Sequence, residues 1–150
     1  MSLHFTILGD PKPKQSARHS ANSGVIRSWQ PKEVVNATAH IKQQVIQQLP
    51  KDFEIYDGVP LNVMITFTFV KPKSIKKNII EKITKPDLDN LQKLILDAMQ
   101  GIVYTNDAHI IALQSYKVFG DTPQTFVSIY ERALTNDNPG PIEDNPAPER

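Results

Sequence analysis

Apolar side chains occupy every second position from residue 61 to residue 69, and this alternation constrains the fold more than any other feature of the chain. The apolar positions are Leu61, Val63, Ile65, Phe67 and Phe69, and mostly polar residues lie between them. Successive side chains of a β-strand point to opposite faces of its sheet. The segment therefore predicts a strand with one strongly apolar face, which another layer of the protein must cover.

Two segments have the apolar spacing of amphipathic helices and can supply that layer. The first covers residues 31–49, with Pro31 in its first turn and Pro50 just beyond its end. The second extends from about Leu88 to Gln100, and Gly101 is a natural stop. Its predicted buried stripe consists of Leu88, Leu91, Ile95, Ala98 and Met99.

Four further segments have the character of strands. Residues 4–8 and 25–29 predict short strands, and residues 124–131 predict a strand that follows a turn at 120–123. Residues 110–119 are apolar on both faces, which favours a central position in the sheet. The order β(β)αβαββ predicts a mixed α/β (α+β) domain, in which a mixed β-sheet packs against two main helices.

The charge of the chain is unevenly distributed. We expect one domain over residues 1–135, followed by an acidic, proline-rich and disordered tail at 136–150. From Asp137 onward there are four acids and one base, so 12 acids and 16 bases remain, which gives the rest of the chain a net charge of +4. A polyanionic partner fits this balance, and so does an ordinary surface with a solvated tail.

Several classes of protein are disfavoured by composition. The chain has no cysteine, which excludes disulfides, thiolate zinc sites and a cysteine nucleophile. No apolar run reaches about 18 residues, so no membrane span is expected. The first ten residues lack the pattern of a secretory signal, and we expect a cytoplasmic protein.

The segment from Lys85 to Lys93, KPDLDNLQK, carries the strongest chemical signal. Pro86 disfavours helix at the residue before it, so Asp87 is expected at the N-cap and Asp89 in the first helical turn. Two carboxylates so close together repel each other unless a cation lies between them. Hard oxygen ligands of this kind suit Mg²⁺ or Mn²⁺.

Other interpretations of this segment remain open. Asp89, Lys93 and Asp97 are spaced by four and lie within an arc of about 80° on the helix, so they could form a ladder of salt bridges. Asp87 would then be a plain N-cap. A calcium-binding EF-hand loop does not fit, because Gln92 and Ala98 replace its required glycine and glutamate.

A second acidic turn, Asn106–Asp107, precedes the predicted strand at 110–119. Loops at strand ends often carry catalytic residues. The alternative is a turn in which these residues were selected for local hydrogen bonding.

Together these motifs resemble the RusA family of crossover-junction endodeoxyribonucleases. The resemblance rests on KPDLDNLQK at 85–93, LDAM at 96–99 and YTNDAHI at 104–110, with support from FTILGDPKPKQ at 5–15. It implies a homodimeric, often prophage-encoded Holliday junction resolvase that cuts paired strands at four-way DNA junctions.

The resemblance also implies roles for individual residues. Asp87, Asp89 and Asp107 match the three acids that hold the divalent metal, Lys93 matches an essential lysine, and Asp97 matches a recurrent helix acid. Many family members have two acids in the second turn, whereas this chain has Asn106 at the first position. An amide oxygen can still bind a metal ion, so the departure affects the expected metal affinity.

Basic residues near these motifs are expected to contact DNA phosphates. They are Lys12, Lys14, Arg18, Lys71, Lys73, Lys76, Lys77 and Lys85. Two alternatives to a nuclease remain: a branched-DNA-binding protein of the same fold that does not cut, and a small interaction protein whose acidic face is only a salt-bridge ladder. His109 and Trp29 are expected to be structural, although Trp29 could stack on a base.

Overall fold

A computed structural model describes residues 2–134, so the expected disorder of the tail at 136–150 lies outside the described residues. The fold is α+β, as predicted. Its strands are β1 (Ser2–Leu8), β2 (Arg18–Asn22), β3 (Val25–Trp29), β4 (Leu61–Val70), β5 (Ile110–Gly120) and β6 (Gln124–Glu131). Its helices are α1 (Lys32–Gln48) and α2 (Leu88–Met99), and a 3₁₀ turn covers Asp107–His109.

The main sheet has four strands in the order β1-β6-β4-β5. Strand β5 pairs with β4 in parallel, and the other neighbours are antiparallel. The prediction that residues 110–119 lie centrally in the sheet was therefore wrong. The connection after β5 crosses the end of β4, so β6 pairs on the other side of β4 and β5 stays at the edge. The apolar residues Ile111 and Leu113 of this edge strand are 54% and 37% exposed.

Gly120 ends β5, where the connection to β6 begins to cross the end of β4. A Cβ atom at Gly120 would lie 2.6 Å from the methyl carbon of Thr68 on β4. Two non-bonded carbon atoms do not approach so closely, so any larger residue at position 120 would force the Thr68 side chain to shift.

The core lies between the sheet and the two helices. The alternating residues of β4 that were predicted to form one apolar face, Leu61 to Phe67, are buried there. Helix α2 contributes Leu91, Leu94, Ile95, Ala98 and Met99. Full burial of one such large side chain contributes about 1.5–3 kcal/mol, so this layer is the main source of stability.

The two edges of the sheet are protected differently. The free backbone groups of Thr6 and Leu8 on β1 are hydrogen-bonded by Gln44 and Gln48 of α1. On β5, residues 80–82 pair with Lys117–Phe119, where Lys82 N donates to Lys117 O and Phe119 N to Ile80 O. Within residues 2–134, no backbone group pairs with the outer edge of β5 at 111–115. An exposed strand edge of this kind can accept another strand.

Strands β2 and β3 form a separate hairpin, of which only β3 was predicted. Ser23 and Gly24 connect them with positive φ angles of 53° and 76°, the backbone of a tight two-residue turn. Strand β2, RHSAN, carries no alternating apolar residues, so no pattern in its sequence indicates a strand.

Neither α1 nor α2, the two α-helices within residues 2–134, combines the length and apolarity needed to cross a membrane.

Candidate active site

The first turn of α2 presents the two neighbouring carboxylates. Asp87 is the N-cap residue, with the extended backbone that the sequence predicted (φ −69°, ψ 140°), and Asp89 lies in the first turn. The side chain of Asp87 makes no capping hydrogen bond and instead accepts one from Lys85 Nζ at 2.7 Å. Both carboxylates are exposed at the positive end of a helix dipole, where an anion is favoured.

The pair between Lys85 and Asp87 is too exposed to fix either side chain. Their side chains are 83% and 49% exposed, and such surface pairs contribute about 0–1 kcal/mol. The Asp87 carboxylate is therefore available to another cation.

The salt-bridge ladder along α2 is not formed. Among the described residues, no ion pair joins Asp89 to Lys93 or Lys93 to Asp97, and Lys93 is exposed. Asp97 Oδ2 instead accepts a hydrogen bond from Lys14 Nζ, in the loop that follows β1. The interpretation of the spacing as a stabilising ladder is therefore wrong.

The loop that follows β1 forms one wall of a groove beside Asp87. Lys14 N donates to Asn90 O at 2.8 Å, which fixes the loop against the first turns of α2. The groove has a volume of about 490 Å³, and its lining includes Pro13, Ser16, Asp87 and Asn90. A carboxylate thus lies at the side of an open groove with both polar and apolar lining.

Lys117 of β5 binds the chain segment that precedes Asp87. Its Nζ atom donates to the carbonyl oxygens of Thr84 and Pro86, both at 2.8 Å. These two bonds hold the segment immediately before Asp87 against the sheet. Sequence reasoning missed this residue, although a lysine within an apolar strand is itself an unusual signal.

Asp107 lies at the other end of α2. Its backbone N donates to Gln100 Oε1 at 3.1 Å, and Gln100 caps the C-terminus of the helix. Eleven residues separate Gln100 from Asp89, which corresponds to about 16 Å along the helix axis. Asn106 Oδ1 accepts from Ala108 N at 2.9 Å, the local hydrogen bond expected of a turn residue.

The described residues of one chain therefore do not bring the three acids together. Asp87 and Asp89 lie at the first turn of α2, whereas Asp107 is hydrogen-bonded to the residue that ends this helix. No group of three Asp, Glu or His side chains within residues 2–134 is arranged to hold a metal ion.

Tyr104 is a buried residue near Asp107 that sequence reasoning did not identify. Its hydroxyl donates to Leu96 O at 2.6 Å. Burial raises the pKa of Tyr104 far above its ordinary value, and the negative charges of Asp107 and Asp97 raise it further. The phenol stays protonated and links this end of α2 to the turn that carries Asp107.

The predicted DNA-binding residues fall into two groups. Lys14, Lys71 and Lys85 are engaged within the chain, since Lys71 Nζ donates to the backbone oxygens of Lys76 and Lys77. The remaining residues are exposed and make no ion pair with another described residue: Lys12, Arg18, Lys73, Lys76 and Lys77.

Comparison with known proteins defines the class as a nuclease, because the family model for endodeoxyribonuclease RusA matches residues 9–130. The chain belongs to the RusA family. It is 34% identical over 93 residues to the crossover junction endodeoxyribonuclease rusA of Lactococcus phage r1t, covering 61% of this chain and 69% of the phage protein. It is also 25% identical over 138 residues to the uncharacterized protein YqaN of Bacillus subtilis (strain 168), covering 86% and 96% of the two chains.

Proposed function

We propose that this protein is a divalent-metal-dependent endonuclease that resolves four-way DNA junctions by paired, symmetric phosphodiester hydrolysis. The observation that carries the proposal is the pair Asp87 and Asp89 at the N-terminus of α2, where Asp87 lines an open groove. Family membership and the name of the phage relative support the choice of substrate. A phage or prophage origin and action in the bacterial cytoplasm fit the same relative.

Asp87 and Asp89 have the chemistry to hold Mg²⁺, with Mn²⁺ as a substitute, because both present exposed carboxylate oxygens. A bound metal ion would polarise the phosphate and activate a water molecule. Lys93 lies one turn beyond Asp89 and is exposed, so its ammonium can offset negative charge on the reacting phosphate.

A homodimer reconciles the three-acid site with the separation of Asp107 in one chain. We propose that a second copy supplies Asp107. The open edge of β5 at 111–115, with exposed Ile111 and Leu113, is a surface on which two copies can pair.

The direction of β5 determines where that pairing would bring Asp107. Two-fold pairing of β5 with its copy is antiparallel, so the start of one strand lies beside the end of the other. Asp107 precedes β5, and Lys117 near its end contacts the segment before Asp87. In such a dimer the second copy's Asp107 would approach the Asp87 end of α2.

Affinity for DNA would come from the exposed basic residues Lys12, Arg18, Lys73, Lys76 and Lys77. Contacts of this kind neutralise phosphates, and they are salt-dependent and largely blind to sequence. Lys14 instead stabilises the groove wall through Asp97, and Lys71 stabilises the lysine-rich loop. Lys85 can turn from Asp87 to a phosphate once a metal ion occupies the carboxylates.

Incubation of the protein with a synthetic four-way junction, with and without Mg²⁺, tests the proposal. We expect symmetrically placed nicks that require the metal. A branched-DNA-binding protein that does not cut would retain the junction in EDTA and leave it intact when Mg²⁺ is added. An interaction protein unrelated to DNA would neither bind nor cut, and either result would reject the nuclease.

A further inference from the structure

The β2–β3 hairpin is an exposed element for which the proposed chemistry gives no role. All ten of its strand residues are exposed, and within residues 2–134 its strands pair only with each other. An isolated two-stranded hairpin is marginally stable in water. A hairpin that also exposes 77% of Ile26 and 48% of Trp29 therefore has the character of a binding element.

The pairing register of β2 with β3 places the hairpin's side chains on two different faces. Arg18 lies directly opposite Trp29, and Ser20 lies directly opposite Arg27, so these four residues share one face. Ile26 pairs with Ala21 on the other face. One face thus combines the only tryptophan of the chain with two arginines.

The charge of the surrounding chain identifies the kind of partner. Between Asp10 and Glu33 there are five basic residues and no acidic one. A polyanion is complementary to this segment, and an aromatic ring flanked by guanidinium groups is the arrangement that stacks on nucleic-acid bases.

The hairpin also begins beside the candidate active site. Ser16, two residues before β2, lines the same groove as Asp87. The loop that carries Ser16 is fixed to α2 by the hydrogen bond from Lys14 N to Asn90 O. DNA held in that groove would pass the root of the hairpin.

We infer that the β2–β3 hairpin recognises branched DNA, with Trp29 stacking on a base exposed at the branch point and Arg18 and Arg27 contacting the flanking phosphates. The inference rests on the proposed function for its substrate. In a continuous duplex both faces of each base are already stacked, whereas bases at a branch point can present a free face. Trp29 would therefore distinguish a junction from linear DNA.

Trp29 fluorescence tests this directly, since no other tryptophan contributes to the signal. The full chain is titrated in EDTA, which prevents cleavage, with a four-way junction or a linear duplex of the same sequence. We expect the emission to be quenched by the junction and largely unchanged by the duplex. Equal quenching by both, or by neither, would overturn the inference.

Variants of the hairpin provide the second measurement, by fluorescence anisotropy of labelled DNA. Trp29→Ala is expected to weaken junction binding by about 5- to 150-fold, the range for loss of one base–aromatic stack, and to leave duplex binding unchanged. Trp29→Phe should retain most of the affinity. Ser28→Ala, on the opposite face of the same strand, is the matched control and should behave as the parent protein.

The remaining outcomes separate this inference from the proposed function. Normal cleavage together with unchanged junction affinity of Trp29→Ala would refute the hairpin's role alone. Junction-specific quenching in a protein that never cuts would refute the nuclease alone. If emission changes on dilution of the protein without DNA, and not on addition of junction, the hairpin instead binds a second copy and the inference is wrong.

Discussion

Lys14 and Asp97 lie 83 positions apart in the sequence, and a hydrogen-bonded ion pair joins their side chains. The pair fastens the loop after β1 to the last turn of α2, so the groove beside Asp87 has a fixed wall. Asp97, the recurrent helix acid, therefore has a positioning role in this chain.

Replacing Asp97 with Asn should loosen that wall. The two side chains are 27% and 37% exposed, so the loss of stability is expected to be small, about 0.5–1 kcal/mol. Hydrogen exchange at the Lys14 amide, which bonds to Asn90 O, should nevertheless accelerate. Lys14→Met should produce the same acceleration, and the double variant should add nothing to it. Unchanged exchange in both single variants would contradict the positioning role.

Replacing Asp89 with Asn should abolish junction cleavage and spare junction binding. The amide keeps the size of the side chain but removes the charge needed to hold a hard cation. Gel-based cleavage and binding assays at normal Mg²⁺ measure the two properties separately. Asp121→Asn, in the exposed turn before β6, is the control and should cut normally. Retained cleavage by the Asp89 variant would reject its assignment as a metal ligand.

Mixing two inactive variants tests whether Asp107 acts across a dimer. Chains carrying Asp89→Asn and chains carrying Asp107→Asn are each expected to be inactive. A mixed dimer contains one intact site if Asp107 comes from the second copy, because the wild-type Asp89 and Asp107 then meet. We expect mixed dimers to nick one strand of the junction without the paired second cut.

The alternative arrangement, with all three acids in one chain, predicts a different result for the mixed dimer. If all three acids belonged to one chain, both sites of the mixed dimer would carry a substitution and no nicks would appear. Leu113→Lys, on the open edge of β5, should separate the copies and prevent the recovery of activity. Size-exclusion chromatography with light scattering measures the oligomeric state of each mixture.

Neutralising Lys73, Lys76 and Lys77 together should reduce the salt dependence of junction binding. Each lost phosphate contact lowers the slope of log K against log salt by about 0.9, so the full effect is about 2.7. The control replaces Lys42 and Lys51, which are also exposed but lie outside the lysine-rich loop and outside the basic segment around the hairpin. An unchanged slope in the triple variant would show that the loop does not contact the backbone.

Local sequence signals predicted the elements that carry the site. Pro86 and Gly101 delimit α2, and the alternation in β4 identified the buried face of the sheet, because both depend on neighbouring residues alone. The N-cap position of Asp87 followed from the same local rules.

Long-range relationships could not be predicted in this way. The edge position of β5 depends on which strands β6 joins, and an apolar pattern on both faces is the same in an edge strand and a central one. The pairing of Lys14 with Asp97, and the distance from Asp89 to Asp107, depend on how separate elements pack. Sequence spacing suggested a ladder and the family resemblance implied a three-acid cluster, and the described residues of one chain form neither.

The protonation of Tyr104 predicts how stability depends on alkaline pH. Burial raises the pKa of this phenol in the folded protein, whereas the unfolded chain has a value of about 10. The folded state therefore favours the protonated form, and its contribution is fully present below pH about 10. The contribution is lost as the pH rises toward the higher folded pKa, because the unfolded chain releases the proton first.

Tyr104→Phe should remove this alkaline loss, because phenylalanine has no ionisable group. The variant lacks the hydrogen bond to Leu96 O, and we expect it to be less stable by about 1 kcal/mol at pH 7. Denaturant unfolding measured from pH 7 to 11 should show the difference from the parent protein narrowing above pH about 10. Tyr116→Phe, a half-buried tyrosine on β5, is the control. A difference that stays constant up to pH 11 would show that the pKa of Tyr104 is the same in the folded and unfolded states, against the effect of burial.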